Sequence, residues 1–217
     1  QRRSRKRQKL RNKQQSLQNR VDARPLACLV ALGLLVRILH RARESERGTR
    51  MSLDLSRAEI DLPDPLERVE EALEAAGWQY DRDEDGTIQA VAETKWGDMG
   101  ALFAYRPDPS AIHYSMTLDV KPVPARRAAI AELIMMANER LWLGHFDYWA
   151  DEGVIIFRYT FSMLDRDEVS PGEARAAIAA SISAADRFVP AFNFLIWAGK
   201  SPREAIEAVM FETHGEA

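Results

Sequence analysis

Val154-Ile155-Ile156-Phe157-Arg158-Tyr159-Thr160-Phe161-Ser162-Met163-Leu164 is the stretch whose reading decides the fold. Ile155, Phe157, Tyr159, Phe161 and Met163 alternate with Ile156, Arg158, Thr160 and Ser162. Neighbouring side chains of a strand point to opposite faces, so a period of two predicts a strand with one buried and one wet face. Upstream, Asp151-Glu152-Gly153 supplies a turn and His145 to Trp149 a second strand, which together make a hairpin.

Working outward, the same grammar repeats. Trp78–Asp81 and Thr87–Glu93 flank Asp83-Glu84-Asp85-Gly86, and Asp-Gly is a strong hairpin signal. Met99–Arg106 and Ala111–Val120 flank Pro107-Asp108-Pro109-Ser110, with Ile112, Tyr114, Met116 and Leu118 alternating with His113, Ser115, Thr117 and Asp119. Helices are announced by Asp64-Pro65-Leu66-Glu67, Ser170-Pro171-Gly172-Glu173 and Ser201-Pro202-Arg203-Glu204. Each supplies an N-cap acceptor, a proline at the first helical position and a Glu to close a capping box. The first should run to about Ala76, ended by Gly77. A fourth helix is predicted near Pro124 from Ile130, Leu133, Ile134, Ala137 and Leu141, which share one helical face. The predicted order is α-β-β-β-β-α-β-β-α-α. Hairpins instead of βαβ crossovers mean an antiparallel sheet, so the expectation is a two-layer α+β domain with five to six strands and helices on one face.

The whole chain has 217 residues, 46% hydrophobic and 29% charged, with a net charge of −3. That excludes fibrous and disulfide-framework proteins. The −3 is a sum of two unlike parts. Residues 1–50 carry 15 Lys and Arg against Asp22, Glu44 and Glu46, hence +12; residues 51–217 carry 15 against 30 acids, hence −15. Gln1 to Arg20 has too little apolar surface to offset chain entropy. Leu26 to Val36 is apolar, but its eleven residues reach only about 16 Å as a helix, against roughly 30 Å of hydrocarbon core. Residues 1–50 are therefore expected to be a basic leader, disordered or non-native, with a short apolar helix. Met51 is the expected true start of the 51–217 domain; a nucleic-acid or membrane arm, or a signal or anchor, are the alternatives.

No catalytic motif is present. Asp81-Arg82-Asp83-Glu84-Asp85-Gly86-Thr87-Ile88 imitates a calcium loop, but its twelfth position is Ala92 where the bidentate Glu belongs. An acidic hairpin turn is expected. His40, His113, His145 and His214 stand at no metal-ligand spacing, and Cys28 is the single cysteine, in the leader. No metal, cofactor or Cys nucleophile is expected in the domain. His145 and Asp147 are two apart on one strand, so they share a face, and Arg158 of the partner strand could join them as a ligand or catalytic site. A charge of −15 argues against nucleic acid and anionic membrane as partners of the domain. Aromatic residues crowd the second half, most of them expected in the core. Val189 to Trp197 is apolar almost all round, broken by Asn193; such a helix is fully buried or covered by a partner. Phe192, Phe194, Leu195 and Trp197 are accordingly the candidate partner-binding residues, with a homodimer as one outcome.

Leu141-Trp142-Leu143-Gly144-His145-Phe146-Asp147, Phe157-Arg158, Pro190-Ala191-Phe192 and Trp197-Ala198-Gly199-Lys200-Ser201-Pro202 together resemble the YbjN-domain family. The ending Glu212-Thr213-His214-Gly215-Glu216-Ala217 is similar to its alphaproteobacterial members. The likeness covers Leu62 to Ala217 and none of residues 1–50. It implies a fold similar to type III secretion chaperones and a role labelled sensory transduction regulation, with no catalytic residues to carry over. The expectation is a non-enzymatic cytoplasmic protein, chaperone- or adaptor-like, that binds a protein partner in a stress or motility response. The alternative is a small-ligand protein or enzyme built on His145, Asp147 and Arg158.

Overall fold

The computed structural model describes residues 64–212. Expectations for the leader, for Met51 as the start and for residues 213–217 lie outside the described residues. In chain order the elements are α1 (Glu67–Ala75), β1 (Gln79–Arg82), β2 (Ile88–Thr94), β3 (Gly97–Pro107) and β4 (Ser110–Thr117). A 3-10 turn (Pro124–Arg126) leads into α2 (Arg127–Asn138), followed by β5 (His145–Trp149), β6 (Val154–Ser162), α3 (Pro171–Ile196) and α4 (Pro202–Glu212). The predicted order of helices and strands holds throughout. The six strands form one open antiparallel sheet in the order β1-β2-β3-β4-β6-β5. The expected α+β class is correct.

Period-two alternation sets the register. Ile112 pairs with Phe161, Tyr114 with Tyr159 and Met116 with Phe157, and all but Tyr159 are buried on the face that meets the helices. Phe146 is the hub of that core. Its ring meets those of Phe157, Phe188 and Phe192 edge-on at 5.9, 5.8 and 5.5 Å, the geometry aromatic quadrupoles favour. The acidic stretch at Asp83–Gly86 is the β1–β2 hairpin turn: Asp83 Oδ1 accepts the Thr87 amide at 2.8 Å, and Gly86 takes the positive φ of 80° that a side chain would resist.

Two capping boxes form as expected. Ser170 Oγ accepts from the Glu173 amide while Glu173 accepts from the Ser170 amide, and Ser201 and Glu204 do the same. The third does not form. Helix α1 starts two residues later than Asp64 would set it, with Leu66 at the N-cap and no side-chain cap. The Asp64 carboxylate accepts the Leu66 amide at 3.0 Å, not that of Glu67, and also forms an ion pair with Arg82, a charge-assisted contact stronger than an amide alone. That pair holds the Asp64 carboxyl below the usual range.

Helix α3 continues through Pro190. A proline has no N–H, so the Asp186 carbonyl one turn earlier loses its intrahelical donor. The Trp96 indole, in the β2–β3 turn, donates to that carbonyl at 2.9 Å. The outer face of the sheet is not uniformly wet. Leu102, Ala104 and Ile156 form a small buried cluster there, with Trp149 and Val154 packed against it.

Candidate interaction site

β5 and β6 bring the first set of candidates to the outer sheet face. His145 lies directly across from Arg158 in register and is exposed. Asp147 Oδ2 accepts from Arg158 at 3.0 Å and from the Trp149 indole at 3.2 Å, and its Oδ1 accepts from the Tyr148 amide at 2.9 Å. The Arg158 guanidinium lies 5.9 Å from the Trp149 ring centre. The structure thus joins Asp147 to Arg158 and Trp149. A carboxylate engaged by three donors has little acceptor capacity left for a substrate. Grooves of about 780 and 400 Å³ form elsewhere among the described residues, and neither is lined by His145, Asp147 or Arg158.

On the same face, His113 Nδ1 is 3.2 Å from Thr160 Oγ1. Burial, with the charges of Arg106 and Arg158 nearby, pushes its pKa below the ordinary 6.5. Among the described residues no three His, Cys, Asp or Glu side chains come together as metal ligands.

The second set, on the C-terminal end of α3, divides. Phe192 and Leu195 are wholly buried, so neither has surface to offer a partner. The docking surface expected at those two positions is corrected: the segment is apolar on most sides because the sheet covers it on one side and α4 on another. Phe194 is half-buried. Trp197 is 68% exposed.

The most exposed large apolar side chain among the described residues lies where composition did not point. Trp142 is 98% exposed, in the loop between α2 and β5, beside exposed Leu143. Met135, 59% exposed, stands on the side of α2 turned away from the core with Ala128, Ala131 and Glu132. One signal was available. The core positions Ile130, Leu133, Ile134 and Ala137 leave Met135 on the opposite helical face, and Trp142 follows in the loop after the helix ends at Asn138.

The family model described as "Putative bacterial sensory transduction regulator", YbjN, matches residues 65–194. The chain belongs to the YbjN family. Its YbjN domain thus runs from the start of α1 almost to the end of α3, and includes the sheet, Trp142 and the Asp147–Arg158 pair. No curated protein and no solved structure matches the chain. None of the helices among the described residues is long and apolar enough to cross a membrane.

Proposed function

We propose that this YbjN protein is a non-enzymatic cytoplasmic regulator, chaperone- or adaptor-like, that works by binding a protein partner. The observation that carries this reading is Trp142, an indole left almost wholly in water next to Leu143 and after Met135. Burying the 150–250 Å² that an aromatic side chain covers is worth about 4–6 kcal/mol at most. The fold forgoes that gain, and an interface would recover it. Tryptophan is also the residue type most enriched at interface hot spots. Glu132 and Glu139, both exposed, provide the polar rim such a patch needs. The ligand or enzyme reading at His145, Asp147 and Arg158 has less behind it, because Asp147 already spends its oxygens on the protein's own donors.

In affinity purification from the native host, the wild-type protein is expected to retain specific proteins that Trp142→Glu and Met135→Glu lose. Both variants should melt as the wild type does, since neither side chain is in the core. Identical retention by wild type and variants would refute the reading. A second copy of the chain is one partner this surface suits, and sedimentation of wild type and Trp142→Glu distinguishes that case.

A further inference from the structure

We infer that the groove between α3, α4 and the β2–β3 turn binds a free anionic amphiphile, a single alkyl chain carrying a carboxylate or phosphate head. Ile182, Ser183, Asp186 and Arg187 of α3 line one wall, Met210 of α4 the other, and Lys95 the end. The spacing of the four α3 residues puts them on one helical face. The groove is open to solvent along its length and offers about 780 Å³, within the range of small-molecule sites. Ile182 and Met210, both half-buried, give it apolar sides.

The head group is specified by Arg187. Its guanidinium lies 5.2 Å from the Phe188 ring centre, and one terminal nitrogen is 2.9 Å from the Met210 sulfur, a weak acceptor. Its Nε–H is buried and donates to nothing among the described residues. An arginine so placed is short of the anion that would take its fork of donors. Asp186 does not supply it: its Oδ1 accepts from the Lys95 amide at 2.8 Å, which ties the turn to α3 and brings Lys95 to the groove. Lys95 and Arg187 line one groove with a single carboxylate, Asp186, a local charge of +1 on a domain where residues 51–217 carry −15. The local charge therefore attracts an anion, while the global charge opposes docking on an anionic bilayer. A free amphiphile satisfies both.

The test is titration of the full ¹⁵N-labelled chain with decanoate and with decyl phosphate, both below their micelle concentrations. The Trp96 indole N–H and the Arg187 Nε–H should shift together and saturate. Arg187→Gln and Lys95→Gln should each weaken binding about tenfold, the share of one charge-assisted contact. Arg187 also packs on Phe188, so Lys95→Gln, at an exposed turn position, decides the question where Arg187→Gln lowers stability. Equal shifts with decyltrimethylammonium, or unchanged affinity in Lys95→Gln, would overturn the proposal. So would shifts seen only with phosphatidylglycerol vesicles, or inorganic phosphate binding as tightly as decyl phosphate. None of these outcomes depends on the protein partner at Trp142.

Discussion

Replacing Ser181 by Ala should damage the protein more than replacing Ser181 and Tyr114 together. Tyr114 of β4 and Ser181 of α3 are both buried, and their hydroxyl oxygens are 2.6 Å apart. Ser181 Oγ donates its only hydrogen to the Ile178 carbonyl at 2.7 Å, so the phenol must be the donor in the pair. Burial pushes that phenol well above its usual pKa, which keeps its proton in place. Ser181→Ala leaves the phenol O–H buried with no acceptor, at a cost of about 1–3 kcal/mol. Tyr114→Phe leaves Ser181 still bonded to Ile178 and costs about 0.5–1.5 kcal/mol. In the double variant nothing polar is orphaned, so the second substitution should recover about 1 kcal/mol of what Ser181→Ala lost. Urea unfolding reads this directly. At a slope of about 2 kcal/mol per molar, Ser181→Ala should lower the midpoint by roughly 1 M and Tyr114→Phe in that background should raise it again. If the double variant falls by the sum of the two singles, the assignment of donor and acceptor is wrong.

Three further outcomes are expected. Gly144 has φ +70° and a Cβ there would collide with the Phe157 ring and the Arg158 carbonyl, whereas Gly153 (φ +65°) has open space around it; Gly153→Ala should cost about 1–2 kcal/mol and Gly144→Ala about 2–5 kcal/mol in the same unfolding assay. His113 is held below 6.5 by burial and then by Arg106 and Arg158, so folding disfavours its protonated form. Its contribution is complete above pH 6.5 and lost as pH falls through that value towards the folded pKa, and stability measured from pH 7 to 5 should drop less in His113→Gln. Trp96→Phe removes the donor to the Asp186 carbonyl and should cost about 1 kcal/mol. In a Pro190→Ala background, where a backbone N–H becomes available to that carbonyl, thermal melting should show a smaller loss.

Local chemistry was legible in the sequence, and long-range choices were not. The boxes at Ser170 and Ser201 close over three residues, so their residue types sufficed. At Asp64 the same pattern gave a contact with the Leu66 amide and no box, while Arg82, brought close by β1, pairs with the carboxylate. The three hairpins followed from turns and alternation, which are also local, whereas the β4–β6 pairing that joins them into one sheet is long-range and no motif announced it. For the candidate site, Phe192, Phe194, Leu195 and Trp197 are alike in hydropathy, and only the docking of α3 against the sheet and α4 separates the buried pair from the exposed Trp197. Trp142 looked like core because aromatic residues usually are, and it lies in the loop beyond Asn138, where helical periodicity does not reach. The indole that serves the carbonyl freed by Pro190 comes from a turn 90 residues earlier, a distance no motif spans.

The outer sheet face gives the Asp147–Arg158–Trp149 arrangement a physical purpose that involves no reaction. Helices cover only one face of the sheet among the described residues, yet Leu102, Ala104 and Ile156 are buried on the other. Trp149 packs against that cluster. Its indole is fixed by Asp147, and Arg158, from the strand that pairs with β5, lies over its ring while bonding the same carboxylate. β5 is an edge strand and only five residues long. Such a strand has few ladder hydrogen bonds to hold it, and a side-chain tie across the pair adds what the backbone cannot. An exposed ion pair alone would be worth little. One that also pins a tryptophan over apolar side chains keeps those side chains dry. That role explains why Asp147 and Arg158 meet, and why His145, at the strand's start, stays outside the ion pair.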